Sequence, residues 1–273
     1  MLEYPEVTAR THQLNEFIRG KEVASVLPPT KPHKFCWFSG EPDTYAPAVK
    51  GSKIAYAEGF GIFVELSFDN GYRLCYNDGV HTRLLSPDET RPKDYQLLIQ
   101  FADGYGLAFI VAMYGGIILH AGEYDNPYYQ TSREALPLAS PAFKEHYLSF
   151  FTPENRNLSL KALLATGQHF PGIGNGVLQD ILFTAGFQPK KKISSLSASE
   201  QETLYASMIS VLQKMTAEGG RDTEKDIFGK PGGYTTLMSK HALKTGCPVC
   251  GGEVVKETYL GGSVYYCPHC QNI

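Results

Sequence analysis

The chain has little cysteine, a single tryptophan, almost no net charge and no long apolar run. Each shortage narrows the field. Only six of the 273 residues are Cys, too few for a scaffold built on disulfides. Nothing at the N-terminus reads as a secretory signal, so a reducing, cytoplasmic setting is expected. No apolar stretch approaches the roughly 20 residues that a membrane helix needs. The formal charge of −3 gives no general attraction to polyanions. The acidic excess lies in residues 1–152 and a small basic excess in 153–273. The C-terminal part is therefore the better candidate for a polyanion-binding surface, although charge of this size does not establish one. One Trp against 17 Tyr and 15 Phe suits an aromatic-rich β core and names no ligand. The length implies about two domains. There is no internal repeat and no low-complexity tract.

Where cysteine does occur, it is patterned. Cys247-Pro-Val-Cys250 is followed, after 16 residues, by Cys267-Pro-His-Cys270. Two turns that each present a Cys pair can surround one zinc ion tetrahedrally, and the spacing suits a zinc ribbon. A hairpin this small buries too little to fold alone, and bound metal supplies the missing free energy. Two disulfides are the alternative. An all-Cys ligand set leaves no open coordination position, so the expected zinc is structural. Cys36 and Cys75 read as reduced thiols in apolar surroundings.

Along the chain, Pro5 suits the first turn of a helix, with Glu3 and Glu6 near its positive end. Val7, Leu14, Phe17 and Ile18 form its expected buried stripe, and Gly20 its stop. Residues 21–125 are strand-like. The runs are Val23–Val26, Phe35–Phe38, Ile62–Phe68, Tyr72–Tyr76, Gln96–Phe101 and Leu107–Met113, with tight turns at Asp69-Asn70-Gly71 and Asp103-Gly104. An antiparallel sandwich is expected there. Residues 126–141 read as a connector. From 142 the pattern turns helical: Leu160–Ala165, then a break at 170–175, then a stripe from Val177 to Ala185 stopped by Gly186 and Pro189. Ser197 and Glu200 match a capping box for a helix reaching about Ala217. The expected fold class is α+β. It comprises an N-terminal helix and β-sandwich (1–125), a linker (126–141), a helical domain (142–240) and a zinc hairpin (241–273).

Three motifs carry a resemblance that spans nearly the whole chain. Met1-Leu-Glu-Tyr-Pro-Glu-Val7 is similar to the M-P-E-L-P-E-V opening of the formamidopyrimidine-DNA glycosylase and endonuclease VIII family. Gly172-Ile-Gly-Asn175 followed by Asp180-Ile-Leu-Phe resembles that family's helix–two-turn–helix. The four-cysteine hairpin ending in Cys270-Gln271 resembles its zinc finger. The resemblance implies a base-excision-repair glycosylase that acts as a monomer on damaged double-stranded DNA. The second motif suits DNA contact on its own physics: glycines let backbone approach a phosphate, and a helix-opening turn aims N–H groups at it. Asn175 can donate to the same oxygen, and Lys161 matches a phosphate-contacting lysine of the family. Lys190–Lys192 is either a further electrostatic contact or a solvated charge run.

The family attacks the sugar C1′ with an N-terminal proline exposed by Met removal. Here residue 2 is Leu2, and a bulky residue there leaves Met1 in place. The Met1 α-amine can stand in as nucleophile, one residue out of register. Phe60 aligns with the family's hairpin lysine and Gly262 with its finger arginine. Ala112-Met113-Tyr114-Gly115 aligns with its Arg-rich gap-filling segment, where Met113 and Tyr114 can wedge into the stack. Glu3 is kept at the position of the family's general acid/base, and Glu6 is kept as well, with local N–H capping as its other reading. Asp180 replaces a glutamate that can face the lesion pocket. Asp78 and His81 lie where the family carries an apolar wedge. A carboxylate and an imidazole there can activate water, or serve as turn and surface-loop residues. Two functions follow: a glycosylase with weak or absent AP-lyase activity, or a non-catalytic binder of damaged DNA on the same scaffold.

Overall fold

The structure is a computed structural model that describes residues 1–273. The first helix, α1 (Tyr4–Phe17), begins where expected: Pro5 lies in its first turn and Glu3 at its N-cap. Its buried stripe is Val7, Arg10 and Leu14, continued by Ile18. Phe17, expected in that stripe, is exposed and packs edge-on against Phe228. The charged Arg10 takes the inward position because two backbone carbonyls receive its guanidinium, Val80 O at 3.3 Å and Lys225 O at 2.7 Å.

Nine strands follow, together with a short helix α2 (Tyr45–Val49). They are β1 (Val23–Leu27), β2 (Cys36–Phe38), β3 (Ile54–Phe60), β4 (Phe63–Phe68), β5 (Tyr72–Asn77), β6 (Val80–Leu85), β7 (Leu97–Phe101), β8 (Gly106–Val111) and β9 (Gly115–Ala121). They form two sheets, ordered β1-β7-β8-β6 and β2-β9-β5-β4-β3. Every pairing is antiparallel except the edge pair β2 and β9, which is parallel. One apolar core joins α1, through Leu2, Val7, Leu14 and Ile18, to residues of both sheets such as Leu66, Leu74, Ile99 and Phe109.

The expected linker is partly structured. Helix α3 (Pro127–Arg133) is tied to β4 by a buried carboxylate, Glu65. Tyr129 Oη donates to it at 2.5 Å, Arg133 Nη1 at 2.8 Å, and His120 Nε2 lies 3.2 Å away. The Arg133 guanidinium also lies over the ring of Phe60. These ties keep α3 with the sandwich, so the first compact unit is residues 1–133 plus 219–233. The return of 219–233 was not visible in the sequence. It is held by Leu84 N–H to Ile227 O at 2.7 Å and by the Gln13 amide to Asp226 at 3.0 Å.

The second unit is residues 134–218 plus 234–273. It contains α4 (Pro141–Leu148), a wide helical turn at Ala162–Thr166, α5 (Asn175–Ala185), α6 (Ala198–Ala217), α7 (Ala242–Thr245) and the hairpin β10 (Val255–Tyr259) and β11 (Gly262–Tyr266). The capping box of Ser197 and Glu200 opens α6, and Gly186 closes α5 in a left-handed conformation, as expected. The cysteine hairpin is not a separate domain. Cys247, Val254 and Cys267 share a core with Phe183 of α5, Met238 and Ala242.

Candidate functional site

In the first unit the polar groups converge on the chain start. Leu2 is buried in the core, and its N–H donates to Asp78 O at 2.8 Å. This anchor leaves Met1 at the surface. The Met1 amine is 2.8 Å from Glu224 Oε2. The Met1 carbonyl accepts from Arg221 Nη2 at 3.3 Å. Arg221 is buried between two carboxylates. Its Nη1 is 3.5 Å from Glu3, its Nη2 donates to Glu6 at 2.8 Å, and its Nε and backbone N–H donate to the other Glu6 oxygen at 2.9 and 3.0 Å. Glu6 also accepts from the Glu3 backbone N–H at 3.2 Å. Burial alone would lift the Glu6 carboxyl, but the Arg221 guanidinium outweighs it and holds the group below the ordinary range.

The turn before β6 and the turn before β9 complete the cluster. Asp78 has a positive φ of 39°. Its carboxyl is pushed up by burial and by Glu224, against a hydrogen bond from Tyr114. Tyr114 in turn is pushed up to about 12 by burial and by Asp78, and its hydroxyl lies 3.6 Å from the Met1 sulfur. His81, on β6, is pulled down to about 4 by burial, Arg10 and the chain amine. It is therefore neutral at pH 7 and has a free lone pair. Met113 is the most exposed residue of the same turn as Tyr114. Sequence reasoning missed Arg221 and Glu224, because nothing local marks a post-helix segment as the partner of the chain start.

In the second unit, three positions singled out by resemblance come together. Lys161 is buried and its ammonium donates to the Tyr259 carbonyl, with Gly262 O 3.5 Å away. Burial pulls the Lys161 ammonium down. A Cβ on Gly262 would collide with the Asn175 amide nitrogen and come 3.3 Å from Lys161 Nζ. A finger arginine has no room at 262 in this arrangement, since Lys161 and Asn175 occupy the space beneath the tip. Asn175 opens α5, and its Oδ1 is buried without a partner. The Lys190–Lys192 run is engaged internally: with Glu257 at 2.6 Å, with Ile273 O at 3.2 Å, and with Asn157 O at 2.7 Å.

Asp180, assigned by resemblance to a lesion pocket, is engaged by backbone N–H groups of its own unit. It is fully buried on α5, and its two oxygens accept from the N–H groups of Leu237 and Met238 at 2.9 and 2.7 Å. Its carboxylate fastens the segment that leads into α7.

The four hairpin thiols fit one metal ion. Their sulfurs all lie within 4.8 Å of one another. The Cys247–Cys270 and Cys250–Cys267 separations are 3.8 and 3.5 Å. A tetrahedron with Zn–S bonds of about 2.3 Å has edges of about 3.8 Å, whereas a disulfide is about 2.05 Å long. The disulfide alternative is thus excluded, and the donor set fits zinc. Cys75 is buried and Cys36 half-buried. Both thiols are pushed up by burial, Cys36 to about 12, as expected of reduced, unreactive groups.

A sandwich that buries Leu2 and the carboxylates Glu3 and Glu6 at its chain start, in a chain that also holds a helical unit with a four-thiolate hairpin, defines a two-unit, zinc-hairpin α+β protein. No protein-family model matches the chain. Formamidopyrimidine-DNA glycosylase of Prochlorococcus marinus (strain NATL2A) is 31% identical over 138 residues, spanning 48% of each protein. The enzyme of the same name from Geobacillus kaustophilus is 25% identical over 99% of this chain and 100% of that relative. Among solved structures, Lactococcus lactis Fpg bound to N7-benzyl-Fapy-dG DNA superposes with a TM-score of 0.83. It covers 99% of this chain at 22% identity. The same protein with abasic-site DNA gives 0.82. Over nearly its whole length the chain is thus similar to formamidopyrimidine-DNA glycosylases, and it shares the fold of Lactococcus lactis Fpg.

Proposed function

We propose that the protein is a divergent DNA glycosylase that extrudes and releases a damaged base from duplex DNA, acting as a monomer, with AP-lyase activity weak or absent. The observation that carries this reading is the cluster around the chain start: Glu3, Arg221, Asp78, His81 and Tyr114 gathered beside an amine that is not proline's. A damaged nucleotide turned out of the stack presents C1′ to such a cluster. Water then adds to C1′ as the C1′–N bond breaks. Its proton passes to a carboxylate, assigned to Glu3, and the base leaves with the bonding pair and takes up a proton. Arg221 sets a fixed positive charge 3.5 Å from the Glu3 carboxyl.

The lyase step needs an amine with a free lone pair to form an imine at C1′. Here the Met1 ammonium is paired with Glu224 at 2.8 Å, and Leu2 fixes it one residue out of the family register. Lys161 and Asn175 are assigned to phosphate contact, Met113 and Tyr114 to the gap left by the extruded base. Zinc, held by Cys247, Cys250, Cys267 and Cys270, supplies folding free energy to the hairpin that carries the Gly262 tip.

The test is base release from lesion-bearing oligonucleotides. Glu3→Gln is expected to lower it by about 10²–10⁴-fold with binding retained; undiminished release would remove Glu3 from its role. One observation favours a second reading, a non-catalytic binder of distorted DNA. Glu3 is 2% exposed, so substrate reaches it only if the chain start moves.

A further inference from the structure

The edge strand β2 carries an aromatic surface that the proposed chemistry leaves unused. On it, Cys36 and Phe38 pack against the core, whereas Trp37 between them is 54% exposed, and Phe35, in the turn just before the strand, is 47% exposed. The pairing register sets Trp37 beside Gly116 and Cys36 beside Gly115, and the Gly115 N–H donates to Phe35 O at 2.9 Å. The residue paired with Trp37 is thus a glycine, and about half of the indole stays exposed. The same register brings the turn bearing Met113 and Tyr114, 66% and 37% exposed, next to Phe35. Tyr114 reaches the Met1 sulfur at 3.6 Å. The surface is thus continuous from Trp37 to the chain start.

The chemistry of the surface selects its occupant. Every base has a π-face that can stack on an exposed aromatic ring whatever its sequence, and these rings adjoin the turn assigned above to DNA contact. Lys34 holds its ammonium 5.2 Å over the Phe35 ring, so a cation borders the rings as a phosphate backbone requires. Resting on the nucleic-acid reading above, we infer that Phe35 and Trp37, next to the turn of Met113 and Tyr114, form a stacking platform for an unpaired base of single-stranded DNA beside the chain start. Fully paired DNA offers no base to it. The platform therefore gives the protein a preference for unpaired over fully paired DNA.

Trp37 is the chain's one tryptophan, so its emission reports the platform directly. A dT15 oligonucleotide titrated into the protein is expected to quench that emission by half or more, and an unlesioned duplex of equal length much less. In anisotropy with labelled dT15, Phe35→Ala and Trp37→Ala are each expected to weaken binding about tenfold with thermal midpoints unchanged. Emission unmoved by saturating dT15, or wild-type affinity in both variants, would overturn the inference. So would an emission change that follows protein concentration without DNA, which would assign the surface to a second copy of the chain. Base release from lesion duplexes, measured on the same variants, separates the two readings. Quenching without any release on any lesion leaves the platform standing and the glycosylase reading failed. Release without quenching does the reverse.

Discussion

Arg221 is the residue on which the chain start depends. Removing it leaves Glu3 and Glu6 buried without their cationic partner, and breaking such a pair costs about 3–5 kcal/mol. Arg221→Met is therefore expected to lower the urea midpoint strongly, and Arg221→Lys to recover only part, since lysine cannot make the forked contacts. His81 makes a pH signature. Its native value of about 4 lies below its unfolded value of 6.5, so the unfolded chain binds the proton more readily between them. Stability is then full above about pH 6.5 and falls as pH drops towards 4. Glu6, also depressed, adds its loss only further down, as pH passes below the ordinary carboxylate value. Asp78, raised by burial, acts in the opposite direction at the acid end. Urea midpoints at pH 7, 5.5 and 4.5 should fall in the wild type and fall less in His81→Gln. Equal slopes in the two proteins would remove His81 from this account.

The zinc hairpin is an element that its sequence specified almost completely. Four soft ligands at a ribbon spacing leave little freedom, and the structure gathers all four sulfurs. Zinc released by thiol modification and read with a colorimetric chelator is expected at about one per chain. Cys250→Ser should lose most of it together with the cooperative melting of the hairpin. Helices α1, α5 and α6 were equally legible because caps, prolines and glycines act locally. Strands β3, β6 and β9 were not read. The segment Ile54–Phe60 lacks a clean alternation, and β6 and β9 follow turns that masked their starts. The linker was misjudged because α3 is fixed by Glu65, a charge buried in the middle of a distant strand. No local pattern marks such a partner. Asp180 was placed by resemblance alone, and its backbone partners Leu237 and Met238 lie more than fifty residues away.

The whole molecule shares its fold with Lactococcus lactis Fpg. The positions that the resemblance aligns with that family's positive charges hold Phe60, Gly262 and an uncharged turn, and the structure gives two of them other work. Phe60 stacks under Arg133, and Gly262 makes room for Asn175 and Lys161. Duplex binding should accordingly show a shallow salt dependence. Ala112→Arg, at an exposed turn position, is expected to raise affinity and steepen the slope by about 0.9 for one added phosphate contact. The central claim is base release without an enzyme–DNA adduct. The direct measurement incubates the protein with a panel of lesion-bearing duplexes, one arm developed with hot alkali and a parallel arm with borohydride. The expected result is alkali-labile sites on at least one lesion, with no borohydride-trapped adduct above background. An adduct formed as fast as the labile sites would contradict the loss of amine chemistry, and labile sites on no lesion at all would contradict the glycosylase itself.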